Sequence, residues 1–311
     1  MRQEEFTLFV TFFSSLSKKP VLYSIPTHWP DATASEFHHV DGISWHIQRR
    51  GRVRGDAPTL LLVHGTGGGT HSWAGVTDAL AAHYHLVNVD LPGHGFTHVP
   101  PSVEAARNPY ALPGMARALH RVLQQLEEQP AMAVGHSAGV SVLLRMALDG
   151  DIAPERLIGV CPALVAPPAW YVTLIAPLLA VVVESDTVAG TAARLAAGTR
   201  IIENMLGSTG SPLTDAQLAR YRELCSKPEH VHAAMTMMAR WDLPSLFRDI
   251  GGLTTPLHCI AARDDRWIPL ASLSRAVERI PGAVLQVEDG GHLLPEERPD
   301  VITRALLPER A

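Results

Sequence analysis

Cysteine is scarce in this chain, with three residues in 311: Cys161, Cys225 and Cys259. They are far apart, odd in number and without C-x-x-C spacing. That argues against a disulfide framework or a cysteine-based zinc site and fits a reducing cytoplasm. A surplus of charge is also missing: the formal net charge is −5 and no Lys/Arg-rich run occurs. Nucleic acid is therefore not expected as a partner. The sixteen histidines include no H-E-x-x-H or comparable ligand spacing, so neither a metal nor a cofactor is expected. Long apolar runs are absent too. Residues 6–16 (FTLFVTFFSSL) and 171–183 are apolar, but both fall short of the roughly 20 residues that a spanning helix needs.

The first of those runs follows Glu4 and Glu5 and precedes Lys18 and Lys19. A secretory signal needs a basic start and a small-residue cleavage site, and neither is present. Three readings stay open for it: a loosely docked segment, an upstream start codon read into the protein, and a weak membrane-surface anchor.

What the chain does contain is organised around residues 131–139, AMAVGHSAG. An apolar run ends in G-H-S-A-G and an apolar-periodic segment follows at once, which reads as strand, sharp turn and helix with Ser137 at the apex. In a G-x-S-x-G elbow the glycines let strand and helix pass closely, and the serine hydroxyl stands above the sheet over a helix N-terminus.

The pattern around the elbow predicts an α/β protein. Residues 36–50 break at Asp41-Gly42 into a hairpin. Buried strands are expected at 59–63, 86–89, 157–160, 257–261 and 284–287, with helices at 72–83 and 112–128. Alternation of this kind implies a mainly parallel central sheet covered by helices on both faces. From about 163 to 246 the alternation stops and helical stretches carry scattered Pro, Trp and Met. The expected division is an N-terminal extension (1–28), core (29–162), a helical cap (163–246) and core again (247–311).

Three further stretches bear on chemistry. The strand at 59–63 runs into H-G-T-G-G-G (64–69), whose glycines leave backbone N–H groups free to face a ligand. The Thr66 and Ala138 N–H groups would form an oxyanion hole beside Ser137. A phosphate loop is the other reading of these glycines, but the G-K-[ST] ending is absent. After the strand at 257–261 come Asp264 and Asp265, and after the strand at 284–287 comes His292, so the chain order is Ser, Asp, His. His292 would carry the Ser137 proton to the leaving group and an aspartate would orient the imidazole. Asp265 is favoured because it lies four residues before Pro269, with Asp264 orienting the turn. Asp90 and His94, in the turn at 90–95, are expected to be structural. Candidate substrate contacts are His64, Gly65, Gly67, Trp73, His136, Met238 and Trp241. Met235, Met237, Met238 and Trp241 would form an adaptable apolar wall or ordinary core, and the apolar cap suggests a bulky, poorly soluble small molecule.

With these parts placed, the chain from about Trp29 onward resembles an α/β-hydrolase with a helical cap. HGTGGGTHSW (64–73), LPGHGFT (91–97), VGHSAG (134–139), MALDG (146–150) and MMARWDL (237–243), with His28-Trp-Pro30, Trp45-His-Ile-Gln48 and LPGMA (112–116), resemble the bacteriochlorophyll-biosynthesis α/β-hydrolases known as magnesium-chelatase accessory proteins. The resemblance implies a place in tetrapyrrole metabolism near magnesium insertion, a porphyrin as ligand, magnesium chelatase subunits as partners, and a cytoplasmic setting peripheral to the inner or photosynthetic membrane. The intact triad favours ester or acyl hydrolysis. The alternatives are a non-catalytic accessory role, which the family label favours, and carbon–carbon bond hydrolysis, because the glycine-rich loop ahead of Trp73 resembles that of the ring-cleavage-product hydrolases. Dehalogenase and epoxide hydrolase chemistry is disfavoured, because those relatives carry Asp where Ser137 stands.

Overall fold

The computed structural model describes residues 25–165 and 200–307. The apolar stretches at 6–16 and 171–183 lie outside the described residues. Among the described residues one eight-stranded sheet carries the fold.

The sheet opens with a hairpin of β1 (Ser35–Val40) and β2 (Ile43–Gly51), turned at Asp41-Gly42 with Val40 opposite Ile43. Both turn residues have positive φ, 53° and 84°. A two-residue hairpin turn matched to strand twist requires that, and Asp-Gly tolerates it. β2 runs antiparallel to β4 (His85–Val89). From there β3 (Thr59–Val63), β5 (Met132–His136), β6 (Arg156–Val160), β7 (Leu257–Ala262) and β8 (Val284–Glu288) are parallel neighbours.

Continuous apolar runs make these strands because both faces are covered. Leu60 and Leu62 join Leu86, Val134, Ile158 and Ile260 in one core cluster. Leu61 and Val63, pointing the other way, join Val87, Ala133 and Cys259 in the second. Each such fully buried leucine stabilises the fold by about 1.5–3 kcal/mol.

Helices close both faces. On one side lie α3 (Leu112–Gln125) and α4 (Ala138–Leu148). α3 turns Leu112, Met115, Ala116, Leu119 and Val122 inward at helical spacing. The other side is covered by α1 (Thr77–Ala81) and the C-terminal helices, where Leu80, Val301 and Ile302 are buried. The helix expected over 72–83 is instead a 3-10 turn (Thr70–Trp73) followed by the short α1. Gly75 between them packs so tightly on Pro299 that a Cβ would lie 2.8 Å from it. A glycine there also weakens helix continuation. The sequence reading missed α2 (Pro101–Arg107), which carries Pro in its first turn and ends at Asn108 with φ 48°. Those are ordinary start and stop residues.

Between β6 and β7 the chain carries an insertion in the strand–helix alternation, and its described residues contribute α5 (Ile201–Gly207), α6 (Asp215–Cys225), α7 (Pro228–Ala239) and α8 (Leu243–Asp249). α6 starts at a capping box in which the Thr214 and Gln217 side chains each bond the other's backbone N–H. Asp242 Oδ1 caps α8 by accepting from Ser245 N–H at 3.1 Å. The expected cap boundary at 246 falls inside α8, whose Leu243 and Leu246 are buried in the larger core cluster. No helix of the described residues is long and apolar enough to cross a membrane. The remaining helices, α9 (Leu270–Val277), α10 (Leu294–Glu297) and α11 (Pro299–Leu306), belong to the last β–α units.

Candidate active site

Ser137 stands between the end of β5 and the first residue of α4, with φ 50° and ψ −116°. Such a conformation costs a non-glycine residue about 1–3 kcal/mol and persists only where its surroundings impose it. Here they do. A Cβ on Gly139 would sit 2.4 Å from the Val63 carbonyl oxygen, and one on Gly65 would sit 2.9 Å from the Ser137 Cβ. The elbow is thus wedged against the end of β3. Gly139→Ala has only backbone to push against, so it should cost about 3 kcal/mol or more through overpacking. A melting temperature equal to that of the wild type would refute this packing account.

Ser137 Oγ lies 3.0 Å from His292 Nε2, and His292 Nδ1 lies 2.8 Å from Asp265 Oδ2. His292 and Asp265 are 3 % and 7 % exposed, so water competes little for these bonds. The other oxygen of Asp265 accepts from the backbone N–H groups of Trp267 (2.8 Å) and Ile268 (2.7 Å), and the Trp267 indole stacks on the His292 ring. Asp264 is exposed, so of the two candidate acids the structure brings Asp265 to the histidine. Cys161 Sγ lies within 4.8 Å of the Asp265 and His292 donor atoms. Burial, and then the charge of Asp265, push its thiol well above the usual range, so the sulfur stays protonated.

The Thr66 loop faces the elbow. Gly68 N–H bonds to the Gly65 carbonyl at 3.1 Å, closing a tight turn with Thr66 and Gly67 at its centre. Among the described residues no hydrogen bond occupies the N–H of Thr66 or of Ala138, so both remain available as donors.

Three residues expected to touch substrate do other work. Trp73 is wholly buried among Val76, Leu294 and Val301, because the 3-10 turn after the glycine loop rolls its ring into the core. His64, also fully buried, donates from Nδ1 to the Gly65 carbonyl at 2.7 Å and accepts the Leu91 N–H at Nε2. It ties the glycine loop to the turn at 90–95. His136 donates from Nε2 to the His292 carbonyl at 2.8 Å. Burial, reinforced by His292, pulls its imidazole down to about 3, so it stays neutral and holds the His292 backbone. Gly65 is a buried packing position and Gly67 is half-buried. Met238 and Trp241 are half-buried as well, and Met237, fully buried, is the methionine that meets the loop: Thr66 Oγ1 donates to its Sδ at 3.4 Å.

Asp90 and His94 are structural in their contacts. The Asp90 carboxylate accepts from the Thr70 and Phe96 N–H groups at 2.6 and 2.9 Å and pairs with His46 Nδ1 at 2.6 Å. Burial alone would raise this carboxyl, but His46 with its hydrogen bond outweighs that and holds it well below the ordinary range. His94 donates from Nδ1 to the Pro92 carbonyl of its own turn at 3.0 Å.

Other contacts carried no signal in the sequence. The Thr209 carbonyl accepts from His292 N–H at 3.1 Å, and Ser211 Oγ accepts from Leu293 N–H at 2.9 Å. A segment of the insertion thus holds the histidine loop. His230, on α7, is likewise buried against the glycine loop.

A mainly parallel sheet with a serine at a strained strand-to-helix turn is the architecture of the alpha/beta hydrolase family, and this chain belongs to it, with residues 60–305 matching the family's sequence model. It is 33% identical over 285 residues to the magnesium-chelatase 30 kDa subunit of Rhodobacter capsulatus, a match covering 91% of this chain and 97% of that protein. It is 26% identical over 249 residues to a pimeloyl-acyl-carrier-protein methyl ester esterase of Xylella fastidiosa, covering 77% and 90%. Among solved structures, an alpha/beta hydrolase fold protein from Burkholderia ambifaria superposes with a TM-score of 0.72 at 23% identity, covering 88% of this chain and 97% of that one.

Proposed function

We propose that this protein is a serine hydrolase that cleaves an ester or similar acyl bond of a bulky apolar substrate in tetrapyrrole metabolism, near the magnesium chelatase step. The observation that carries this reading is the line of hydrogen bonds from Ser137 Oγ through His292 to Asp265 at 3.0 and 2.8 Å. A binding module has no need of a nucleophile, a base and an orienting acid together.

The chemistry follows from the geometry. As Ser137 Oγ attacks the carbonyl carbon, its proton passes to His292 Nε2, and Asp265 stabilises the imidazolium that forms. The carbonyl oxygen takes the negative charge and meets the Thr66 and Ala138 N–H groups at the start of α4. Collapse breaks the acyl–oxygen bond, and His292 returns the proton to the departing alcohol. Water then attacks the acyl-serine by the same relay, releasing the acid and restoring Ser137. The helices of 200–246 would form the cap over this centre, with Met238 and Trp241 on its wall.

The metabolic setting rests on the relative named as a magnesium-chelatase subunit, and the ester bond is supported by the relative named as a methyl ester esterase. The first name also favours a second reading, in which the chain binds a porphyrin or chelatase subunits without turnover. Labelling purified protein with a fluorophosphonate separates the two. The proposal expects stoichiometric labelling of Ser137, slowed by a porphyrin ester added in competition. A folded protein that takes no label would put the accessory role in its place.

A further inference from the structure

We propose that His230, on the insertion helix α7, is a positioning residue for the loop that receives the developing oxyanion, so that turnover depends on how α7 is docked. The inference rests on the serine hydrolase reading above and deepens it.

α7 meets the glycine loop at two side chains seven residues apart, a spacing that puts both on one helix face. At the first, His230 Nε2 lies 3.2 Å from the Gly67 carbonyl oxygen. At the second, Met237 Sδ accepts the Thr66 hydroxyl at 3.4 Å. Gly67 and Thr66 are the two central residues of the turn closed by the Gly68-to-Gly65 bond. Thr66 supplies the N–H proposed to face the oxyanion, and Gly67, at φ 72°, occupies the position of the turn that only a glycine adopts without strain. A two-residue turn closed by one hydrogen bond is a soft support for a donor that must be placed to within a fraction of an ångström. The bonds from α7 stiffen it from outside.

His230 is held on its other edge as well. Its Nδ1 accepts the Gly95 N–H at 3.1 Å. A backbone N–H can only donate, so Nδ1 carries no proton, the proton of the neutral ring is on Nε2, and Nε2 donates to Gly67. One imidazole thus spans the turn at 90–95 and the glycine loop. Between the two contacts, Ala233 lies against Gly93, where an added Cβ would sit 2.5 Å from the Ala233 Cβ. This closeness lets the helix settle onto both loops. The groups whose charge acts on His230 are His94, at 5.3 Å between ring centroids, Lys227, His64 and Asp90. Burial, then His94 and Lys227, pull the imidazole well below its ordinary range. The neutral, Nε2-protonated ring is therefore kept across the working pH range.

The geometry separates the two contacts by mutation. In His230→Gln the side-chain amide reaches about as far as Nε2 and can still donate to Gly67. In His230→Asn the shorter amide reaches only the Nδ1 position, keeping the Gly95 contact and losing Gly67. Steady-state kinetics on a p-nitrophenyl ester, the rate of fluorophosphonate labelling and a thermal melt would be measured for wild type, Gln, Asn and Ala variants. We expect kcat to fall about 30- to 100-fold in Asn and Ala with KM changed less than about threefold, since a displaced donor loses part of what its deletion loses. Gln should recover most of kcat. A purely structural histidine would order the variants by melting temperature instead, with kcat per folded molecule unchanged, and that outcome overturns the inference. Should the Ala variant fail to fold, the Gln–Asn contrast still decides it. Wild type that neither labels nor turns over the ester would overturn the serine hydrolase reading itself. Wild type that labels, with Asn equal to it, would overturn only the role given to His230.

Discussion

Ser137→Ala is expected to lower the turnover of an activated ester by about 10⁵- to 10⁶-fold while leaving the melting temperature close to that of the wild type. The hydroxyl is the only group removed, and among the described residues it makes one hydrogen bond, to His292. The strained backbone at 137 is imposed by the packing of Gly65 and Gly139 against their neighbours, not by the hydroxyl, so the elbow keeps its shape. His292→Ala should cost a similar factor and the double variant little more, because nucleophile and base act as one unit. Asp265→Asn sharpens the test. The amide oxygen can still accept from Trp267 and Ile268, which turns the NH₂ group toward His292 Nδ1. That nitrogen must then accept, the ring proton moves to Nε2, and the base can no longer take the serine proton. A loss of about 10⁴-fold in kcat is expected from that tautomer change alone, whereas Asp264→Asn, at an exposed site, should leave kcat within about twofold of the wild-type value. Ser137→Ala turning over substrate at the wild-type rate would sink the assignment.

The parts of this site that were legible in the sequence share a property: each sits where a buried strand ends. Short continuous apolar runs bounded by turn residues, such as Thr59–Val63, fit strands covered on both faces. The residues just after such a strand emerge on one edge of the sheet, so Ser137, Asp265 and His292 could be placed together without coordinates. Which way a side chain turns after it leaves that edge could not be read. Trp73, His64 and His136 all lie next to the expected chemistry in sequence, yet their rings turn into the core or onto backbone carbonyls. Contacts across the insertion were equally opaque. Thr209, Ser211 and His230 meet the site only because α5, α6 and α7 pack where they do. No local pattern marks a histidine on a helix as the brace of a loop about 160 residues earlier. The short helices were lost for a related reason: α2 has no buried residues, so no apolar period reveals it.

Between pH 5 and pH 8 the wild-type protein should lose stability relative to Glu296→Gln, through one carboxyl. The buried neutral histidines, whose contribution rises with pH, are common to both proteins and cancel in the comparison. Glu296 lies on α10, four residues after His292, and the Tyr221 hydroxyl of α6 donates to its Oε1 at 2.5 Å. Its other oxygen has no partner among the described residues. Burial pushes this carboxyl up to about 7, against the opposing pull of the Tyr221 hydrogen bond and of Arg220. In the unfolded chain it ionises near the ordinary value of 4.5. The native state therefore holds a proton that the unfolded state has lost between those two pH values. The stabilisation is complete below about 4.5, falls as pH rises, and is gone above about 7, a difference of roughly 3 kcal/mol. Gln cannot ionise and still offers Tyr221 an acceptor, so the wild-type curve should fall relative to the Gln curve by that amount across the window. The position matters because Gln217 Nε2 also donates to the Glu296 carbonyl at 2.9 Å. The same turn of α6 thus grips α10 twice, directly behind the histidine loop. Chemical denaturation at pH 5 and pH 8 provides the measurement. If the stabilities of the two proteins change in parallel between those pH values, the carboxyl is already ionised in the folded state and the Tyr221 contact is an ordinary charged hydrogen bond.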